Sequence, residues 1–431
     1  MIRTTKRART LSGTVRSPGD KSISHRYAML AAIAEGTSEI RNFASSQDCC
    51  STLRCLRGLG ADVLESGGTV TVTGRGLHGL SAPAGMLDAG NSGTTIRLLS
   101  GILAGQSYES VIGGDESLSR RPMARIVQPL RLMGAVVEAR EGDLPPLRIR
   151  GGNLNGLRYT LPVASAQVKS CVLLAGLYTD GTTAVLEAVP TRDHTEIALK
   201  HFGASVREAG GWIEIDPGPR LRAGEVEVPG DLSGAAFFLV ASALTPGSEI
   251  LLSQVGLNRR RRELLNYLQS AGLDVVVEQE RQVAGEPRGD LRVRHTPELL
   301  GRKLPPIEGA LTASLIDEIP VLSVLGSQVA GGLVVSDARE LRVKESDRIA
   351  ALASNFISMG ASVEEKPDGL ILGGGQCLRG TDIDSRGDHR IAMAFAIAGM
   401  AADGETRIHG AECADVSFPG FWEALAGIAV F

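Results

Sequence analysis

Cysteine is scarce in this sequence, and the few cysteines do not form a pattern that could hold a metal ion. The six are Cys49, Cys50, Cys55, Cys171, Cys377 and Cys413. None has the paired spacing or the neighbouring histidines of a metal site. We expect reduced cysteines that serve as small core residues, because Cys55 and Cys171 stand in apolar helical stretches. Neither a metal ion nor an organic cofactor is indicated.

The sequence also lacks an excess of charge and any long apolar run. Its 45 lysines and arginines against 49 aspartates and glutamates leave a formal charge of −4, which disfavours nucleic acid or an acidic membrane as a partner. The longest apolar run, residues 391–402, has about 12 residues and is too short to span a membrane. Residues 1–10 are basic but no apolar segment follows them, so no signal peptide is predicted and we expect a cytoplasmic protein.

A helix that ends in glycine and leads into a strand recurs along the chain. The repeated glycines are Gly60, Gly134, Gly203, Gly272 and Gly360, at intervals of roughly 70 to 90 residues. Another helix, rich in alanine and other small residues, precedes each of them and occurs a sixth time. These helices are predicted over residues 27–34, 96–103, 168–177, 235–244, 319–325 and 391–400. With short alternating strands between the helices, the pattern predicts about six α/β units.

Two Pro-Gly-Asp segments, residues 18–20 and 229–231, predict where the chain passes between domains. Six units in 431 residues divide naturally into two domains of three. We expect residues 20–227 to form the first domain and residues 1–19 plus 228–431 to form the second. The N-terminal strand then belongs with the C-terminal half, and the resulting double linker is a suitable hinge.

Cations stand at helix starts, where electrostatics disfavours them. A helix N-terminus carries partial positive charge and unsatisfied N–H groups, so lysine or arginine there is unfavourable unless an anion binds. Residues 18–26 place a lysine and an arginine at such a start, directly after a Pro-Gly break. Residues 91–97, 191–194, 343–348 and 387–390 repeat the arrangement. We interpret all five segments as parts of one anion-binding centre.

Seven motifs together resemble one enzyme family. They are Gly-Asp-Lys-Ser at 19–22, Gly-Asn-Ser-Gly-Thr at 90–94, Arg-Pro-Met at 121–123, Ser-Ala-Gln-Val-Lys at 165–169, Arg-Asp-His-Thr-Glu at 192–196, Arg-Val-Lys-Glu-Ser-Asp-Arg at 342–348 and Gly-Asp-His-Arg at 387–390. In this order, from about residue 12 to 425, the chain is similar to the 5-enolpyruvylshikimate-3-phosphate synthases, or 3-phosphoshikimate 1-carboxyvinyltransferases. The motifs at 165 and 192 resemble the class II branch. The resemblance implies two inside-out α/β domains, each of three βαβαββ repeats, joined by a double-crossover hinge.

The resemblance also implies the substrates and the residues that bind them. The family transfers the enolpyruvyl group of phosphoenolpyruvate to the 5-hydroxyl of shikimate 3-phosphate and releases phosphate. The residues implied for shikimate 3-phosphate are Lys21, Ser22, Arg26, Ser165, Ala166, Gln167, Arg192, Asp317 and Lys344. Those implied for phosphoenolpyruvate are Lys21, Asn91, Gly93, Arg121, Gln167, Arg348 and Arg390. Both substrates are small molecules, and a monomer is expected.

These residue types suit two substrates that each carry a phosphate and a carboxylate. Arginine recognises both groups with paired hydrogen bonds, and helix N-termini add N–H donors. Ser22 and Arg26 are four residues apart, which predicts that they share one face of a helix. The same spacing predicts a shared face for Lys344 and Arg348.

Carboxylates among the cations predict catalysis rather than binding alone. In the family reaction the 5-hydroxyl adds to the enol carbon while the neighbouring methylene is protonated, and phosphate is then eliminated, so two proton transfers are required. By resemblance, Asp317 is the base toward the hydroxyl and Glu345 moves a proton to and from the methyl carbon. Lys21 is the acid at the bridging oxygen, and His389 assists. Nearby cations would stabilise the charge on the departing phosphate.

Several other polar residues are assigned structural roles. We expect His25 to pack or to cap a helix, and Asp48 to cap a helix start. The arginine run at residues 259–262 is expected to be a solvated helix start. His194 and Glu196 are expected only to position the arginine that precedes them.

Two alternatives to this function remain open. The sister family, which transfers enolpyruvyl to UDP-N-acetylglucosamine, shares the fold but typically carries a reactive cysteine in a loop, and the comparable residues 113–122 contain none. A non-catalytic anion-binding or RNA-end-processing protein of similar units would need the arginines but not Asp317 together with Glu345. An assay of phosphate released from the two substrates distinguishes these cases.

Two positions bear on inhibition by glyphosate, which occupies the phosphoenolpyruvate site in many family members. Insensitive class II members often have alanine where this chain has Gly93, and the smaller glycine leaves room for the inhibitor. A lysine that many members carry is replaced here by Val416, which removes one cation and should weaken anionic ligands generally. We therefore expect glyphosate to compete with phosphoenolpyruvate, and Gly93 to determine the selectivity.

Overall fold

Six small β-sheets, three in each of two units, organise the chain. The computed structural model describes residues 1–431. One unit, here called the N-domain, comprises Gly19–Val228 and Gln282–Glu286. The other, the C-domain, comprises Met1–Pro18, Pro229–Arg281 and Pro287–Phe431. The chain therefore passes from one domain to the other after Pro18 and after Val228. In addition, residues 282–286, the tip of a hairpin of the C-domain, belong to the N-domain.

The N-domain contains three sheets of the same topology. Its helices are α1 (Lys21–Ala32), α2 (Gln47–Gly58), α3 (Gly93–Ala104), α4 (Ala124–Leu132), α5 (Ala166–Gly176) and α6 (His194–His201), with a 3-10 helix at Leu118–Arg120. Its strands are β3 (Glu35–Arg41), β4 (Asp62–Ser66), β5 (Thr69–Arg75), β6 (Leu87–Asp88), β7 (Glu109–Gly113), β8 (Val136–Arg140), β9 (Leu144–Arg150), β10 (Arg158–Thr160), β11 (Thr183–Leu186), β12 (Val206–Ala209), β13 (Trp212–Ile215) and β14 (Glu225–Glu227). The strand orders are β14-β3-β5-β4, β6-β7-β9-β8 and β10-β11-β13-β12. In each sheet the first pair is parallel and the other two are antiparallel, as a threefold repeat requires.

The C-domain varies the same plan. Its helices are α7 (Leu232–Leu244), α8 (Glu263–Ala271), α9 (Pro297–Leu300), α10 (Ala310–Leu315), α11 (Ile319–Gln328), α12 (Arg348–Ser358), α13 (His389–Ala401) and α14 (Phe421–Ile428), with 3-10 helices at Arg339–Val343 and Ala411–Val416. Its strands are β1 (Ile2–Lys6), β2 (Thr10–Arg16), β15 (Glu249–Gly256), β16 (Asp274–Val283), β17 (Glu286–Arg294), β18 (Leu333–Val335), β19 (Val363–Lys366), β20 (Gly369–Leu372), β21 (Asp382–Asp384), β22 (Glu405–His409) and β23 (Ala429–Val430). They form the sheets β16-β17-β15-β2-β23, β18-β20-β19 and β1-β22-β21. The N-terminal strand β2 pairs in parallel with β15 of the C-terminal half.

Small residues explain how helices come to lie inside and sheets outside. The helices α7, α11 and α13, which consist mainly of small and apolar residues, are buried on almost all sides, as are α1, α3 and α5 in the N-domain. At Gly101 in α3, a Cβ would stand 2.3 Å from the carbonyl oxygen of Cys171 in α5, so only glycine permits this approach. Strands such as β5 alternate buried and more exposed residues and so cover the helices with one face. The predicted class, two α/β domains of three repeats each, is confirmed.

The five repeated glycines end their helices as predicted. Their φ angles lie between 80° and 106°, in the left-handed region that glycine adopts without strain. The prediction of core cysteines is confirmed for Cys49, Cys55, Cys171 and Cys413, which are buried, but is wrong for Cys377, which is exposed in a loop, and Cys50 is only half-buried. No helix in residues 1–431 has the length and apolarity needed to cross a membrane.

Candidate active site

Four of the five predicted anion-binding segments begin the capped helices α1, α3, α12 and α13, and the starts of α5 and α7 are capped in the same way. The fifth segment, 191–194, leads into α6, which has no side-chain cap and has Glu196 in its first turn. The N-cap side chains are Asp20, Ser92 and Ser165 in the N-domain and Asp231, Asp347 and Asp388 in the C-domain, and each accepts a backbone N–H of its own helix. None of the six helices has an acidic residue in its first turn. The caps fix where each helix begins, and the first turns keep N–H groups and nearby cations for an anionic ligand.

Lys21 opens α1 and is paired with Asp48. Its Nζ lies 3.0 Å from Oδ2 of Asp48, in a pair whose side chains are largely buried. The prediction that Asp48 caps its helix is wrong, because Ser46 is the N-cap of α2 and Asp48 is the second residue of the first turn. A first-turn carboxylate is favourable for the helix and places a negative charge beside Lys21.

His25, on the same helix, is fully buried. Its Nδ1 lies 2.6 Å from Oγ1 of Thr52, which in turn lies 2.7 Å from Oγ1 of Thr95, so a chain of polar groups links α1, α2 and α3. Burial, followed by the charges of Lys21 and Arg26, holds the His25 pKa well below its ordinary value. The predicted packing role is confirmed.

Arg26 is buried and joins three helices. Its Nε donates to Oγ1 of Thr195 at 2.6 Å, and one terminal nitrogen donates to Oγ of Ser170 at 2.9 Å. The other donates to the carbonyl oxygen of Ser22 at 2.8 Å, so these two residues share a helical face as predicted. Burial lowers the Arg26 pKa to about 10, against the opposing effect of Glu196.

The start of α3 carries a second group of predicted residues. Oδ1 of Asn91 accepts from Arg121 at 2.6 Å, while the Asn91 amide donates to Asp115 at 2.8 Å. The Gln167 side chain accepts from Arg97 at 2.7 Å and donates to Thr94 at 3.0 Å. Arg97 therefore fixes the side chain of Gln167.

Gly93 leaves little space around it. A Cβ built there would lie 2.9 Å from a terminal nitrogen of Arg97 and 3.6 Å from one of Arg121. Even a methyl group at this position would therefore press on the Arg97 guanidinium, and it would be in ordinary contact with that of Arg121.

The loop that carries Arg192 ends at α6, whose start is held by a hydrogen bond and an ion pair. Nδ1 of His194 lies 2.7 Å from Glu286 at the hairpin tip. Oε1 of Glu196 lies 2.6 Å from Nζ of the buried Lys169. Burial raises the Glu196 pKa, and Lys169 opposes that shift. Both side chains therefore fix the helix start directly after Arg192.

In the C-domain, three carboxylates surround Arg348. Its guanidinium donates to Asp388 at 2.8 and 3.2 Å and to Glu345 at 2.7 Å, and it lies 3.6 Å from Asp317. Burial disfavours the charge on Arg348, but Asp388, Glu345 and Asp317 outweigh burial and raise its pKa. Burial likewise opposes ionisation of Asp388, and Arg348 outweighs it, so the Asp388 pKa is lowered.

Lys344 lies 3.7 Å from Asp317 and 3.5 Å from Glu340. The prediction that Lys344 and Arg348 share a helical face is wrong. Lys344 ends the 3-10 helix at Arg339–Val343, whereas α12 begins only at Arg348, after its cap Asp347. The two cations nevertheless both approach Asp317.

His389 and Arg390 form the first turn of α13 and are both buried. Arg390 donates to the carbonyl oxygen of Ser233 at 3.3 Å, and its guanidinium carbon lies 5.9 Å from the centre of the Phe237 ring. Arg390 is therefore held against the start of α7.

The arginine run at 259–262 contains one residue that the sequence misassigned. Arg261 is buried, donates to Oγ of Ser233 and lies 3.3 Å from Asp231 and 3.9 Å from Glu318. The prediction of a solvated helix start is therefore wrong for Arg261. Two carboxylates distant in sequence explain its burial, and a local charge pattern cannot reveal them.

The predicted residues are divided between the two domains, and those of one domain are here called its cluster. The N-domain cluster contains Lys21, Ser22, Arg26, Asn91, Gly93, Arg121, Ser165, Ala166, Gln167 and Arg192, and the C-domain cluster contains Asp317, Lys344, Glu345, Arg348, His389 and Arg390. The first cluster offers cations and amides, and the second adds carboxylates that can accept and return protons. Residues 1–431 contain no group of three or more His, Cys, Asp and Glu side chains that could hold a metal ion.

Comparison with known proteins identifies the family. The family model for EPSP synthase (3-phosphoshikimate 1-carboxyvinyltransferase) matches residues 5–425. The 3-phosphoshikimate 1-carboxyvinyltransferase of Solibacter usitatus is 53% identical over 422 residues, 98% of each chain, and that of Pelotomaculum thermopropionicum is 51% identical over 426 residues, also 98% of each. A solved structure of the EPSP synthase from Acinetobacter baumannii, 42% identical, superposes with a TM-score of 0.88 and covers 100% of this chain and 98% of that one. This chain therefore belongs to the EPSP synthase family.

Proposed function

We propose that this chain transfers the enolpyruvyl group of phosphoenolpyruvate to the 5-hydroxyl of shikimate 3-phosphate and releases phosphate. In the shikimate pathway this step leads to chorismate and the aromatic amino acids. Membership of the EPSP synthase family over residues 5–425 supports this activity. The reaction is an addition followed by an elimination, so the site must hold two anions and move two protons.

Shikimate 3-phosphate is assigned mainly to the N-domain cluster. Ser22 and Arg26 from α1, Ser165, Ala166 and Gln167 from the start of α5, and Arg192 would bind its phosphate, hydroxyl and carboxylate groups. Lys21 would stand beside it, and Asp317 and Lys344 of the C-domain would complete the site. The position of Ser165, Ala166 and Gln167 at a capped helix start supports this assignment, because first-turn N–H groups suit an anion.

Phosphoenolpyruvate is assigned to cations and amides of both domains. Lys21, Asn91, Gly93, Arg121 and Gln167 would contact it from the N-domain, and Arg348 and Arg390 from the C-domain. The hydrogen bonds of Asn91 to Arg121 and of Gln167 to Arg97 support this assignment, because they hold these donors in place before the ligand arrives.

Four residues are proposed to carry the proton transfers. Asp317 takes the proton of the 5-hydroxyl, Glu345 gives a proton to the methylene carbon and later removes one, and Lys21 protonates the bridging oxygen as phosphate leaves. His389 assists. Cations around the departing phosphate stabilise its charge.

One observation carries the catalytic part of the proposal. Asp317 and Glu345 both reach the buried Arg348, at 3.6 and 2.7 Å, yet their own side chains stay 20% and 22% exposed. A protein that only bound anions would gain nothing from partly exposed carboxylates beside its arginines, because they repel the ligand.

The test measures phosphate released from the two substrates, together with binding of shikimate 3-phosphate by calorimetry. We expect Asp317→Asn and Glu345→Gln each to lower kcat by about a hundredfold or more, since each removes a proton-transfer group. The matched control is Glu340→Gln, because Glu340 is a more exposed carboxylate that, like Asp317, lies near Lys344. Binding without phosphate release in the parent chain would instead indicate an anion-binding protein, and activity with UDP-N-acetylglucosamine as acceptor would indicate the sister enzyme.

We propose a cytoplasmic monomer without metal or organic cofactor, in which residues 20–227 form the shikimate 3-phosphate side and residues 1–19 plus 228–431 form the side that closes with phosphoenolpyruvate. Light scattering after size-exclusion chromatography tests the monomer. A decrease in radius of gyration with saturating shikimate 3-phosphate, measured by solution scattering, tests the closure.

A further inference from the structure

A buried lysine, Lys169, lies between two carboxylates in the N-domain. It stands in the first turn of α5, and its Nζ lies 2.9 Å from Oε2 of Glu187 and 2.6 Å from Oε1 of Glu196. All three side chains are at least 95% buried. A charged group is buried only when partners compensate for the lost water, so each of the three depends on the others.

The two carboxylates stand at opposite ends of one loop. Glu187 directly follows β11, and Glu196 lies in the first turn of α6. Glu187 also accepts from the hydroxyl of Thr191 and, at 3.4 Å, from its backbone N–H, so its carboxylate closes the loop on itself. The next residue is Arg192. One lysine therefore ties both ends of the segment that presents Arg192 to the helix that begins with Ala166 and Gln167.

A second, neutral link runs beside the first. Oγ of Ser170, the residue after Lys169, lies 2.6 Å from Oγ1 of Thr195, the residue before Glu196. Both hydroxyls accept from Arg26 of α1. The hydroxyl link joins α5 to α6 but does not reach the loop, whereas Lys169 contacts Glu187 where the loop begins. Lys169 therefore contacts the loop that carries Arg192, in addition to joining the two helices.

We propose that Lys169, acting through Glu187, is a positioning residue that sets Arg192 for the shikimate 3-phosphate site. The inference rests on the proposed function, in which Arg192 binds that substrate. Lys169 is buried and touches neither substrate itself. Its effect should therefore appear in the affinity for shikimate 3-phosphate, with little change in the constant for phosphoenolpyruvate.

The variants are Lys169→Met and Glu187→Gln. Lys169→Met leaves two carboxylates buried without their cation, so its fold is checked by circular dichroism. Glu187→Gln keeps the Lys169–Glu196 pair and an acceptor for Thr191, so it weakens only the tie to the loop. The matched controls are Lys200→Met and Glu208→Gln, which break an exposed lysine–glutamate pair of the same domain, 3.0 Å long.

We expect both variants to raise the KM for shikimate 3-phosphate about tenfold or more, because a small misplacement of a substrate-binding group is costly. Since binding is lost equally from ground and transition states, kcat should stay within about twofold. The KM for phosphoenolpyruvate should also stay within about twofold, as should all constants of the controls. A loss of kcat with both KM values unchanged would overturn the proposal.

A double-mutant cycle with Arg192→Ala tests the positioning role of Lys169 separately from the role of Arg192 as a substrate ligand. If Lys169 acts through Arg192, Glu187→Gln should add less than about twofold to the KM for shikimate 3-phosphate once Arg192 is gone. Full additivity would overturn the positioning role while leaving Arg192 as a ligand. An unchanged KM in Arg192→Ala alone would overturn the substrate assignment as well.

Discussion

Replacing Asp388 by asparagine removes one negative charge from the C-domain cluster and changes little else. Asp388 accepts two hydrogen bonds from Arg348, one from the hydroxyl of Ser346 at 3.0 Å and one from the backbone N–H of Arg390. Asparagine is about as good an N-cap as aspartate, so α13 should keep its start. The variant therefore isolates the buried charge opposite Arg348.

The magnitude follows from what remains around Arg348. Removing one partner of a buried ion pair costs about 3 to 5 kcal/mol of unfolding free energy. Glu345 at 2.7 Å and Asp317 at 3.6 Å still face the guanidinium, but both are partly exposed. We therefore expect a loss of unfolding free energy at the low end of this range, about 3 kcal/mol. For an m value near 3 kcal/mol/M, this loss lowers the urea midpoint of the C-domain by about 1 M.

The assay must follow the C-domain alone, because two domains need not unfold together. Trp212 lies in the N-domain and Trp422 in the C-domain, where its Nε1 donates to Ala411 at 3.1 Å. In a Trp212→Phe background, fluorescence reports on Trp422. Asp382→Asn is the matched control, since its partners Arg407 and His409 lie on the surface and such pairs are worth about 1 kcal/mol or less.

The dependence on pH supplies a second check with a definite sign. The folded-state pKa of Asp388 is lowered, so its contribution is complete above the unfolded value near 4 and is lost as pH falls through the folded value. The difference in unfolding free energy between parent and Asp388→Asn should therefore be full at pH 7 and should narrow below about pH 4. Equal midpoints at pH 7, or a difference that does not narrow in acid, would refute the reasoning.

Three further predictions concern single residues. Lys21→Met should keep its circular dichroism spectrum but lose about a hundredfold or more in kcat, and near-normal turnover would contradict the role of Lys21. Gly93→Ala should raise the inhibition constant for glyphosate about tenfold or more, with a smaller change in the KM for phosphoenolpyruvate, because the new Cβ meets two guanidinium groups. Val416→Lys, in contrast, should alter both constants alike. A parent chain indifferent to millimolar glyphosate would show that another residue closes the pocket. His25 has a lowered folded pKa, so the unfolded state binds its proton first and stability should fall by about 1.4 kcal/mol per pH unit below 6.5. His25→Gln should remove that dependence of the unfolding free energy on pH when unfolding of the N-domain is followed by the fluorescence of Trp212. An unchanged dependence would exclude His25 as its source.

Local patterns predicted most of the fold because each signal stays within one repeat. Small residues around whole helices, and a glycine at the end of the next helix, are visible without knowledge of distant contacts. Strand β1 is different, since only one of its five residues is buried and its partner β22 lies about 400 residues away, with Ile2 opposite His409. A short, mostly exposed edge strand produces no periodic pattern of apolar residues, so the start of the chain showed only its basic character.

The candidate site shows the same limit more sharply. Charge placement at helix starts identified cations near Lys21, Asn91 and Arg390, because a capped first turn is a local feature. Spacing alone failed for Lys344, since the capping Asp347 moves the start of α12 beyond it and a 3-10 helix precedes it. A Ser-Asp pair before Arg348 was a usable capping signal that the four-residue spacing obscured.

Arg261 and Lys169 could not have been found this way. In sequence, Arg261 belongs to a charged run and Lys169 to a mostly apolar helix, and nothing local separates a buried cation from a solvated one. Their burial depends on Asp231 and Glu318 in one case, and on Glu187 and Glu196 in the other, which stand 18 to 57 residues away. A charge in a core is stable only with its counter-charges, so the folded topology, rather than the local sequence, decides which cations position the site and which merely face water.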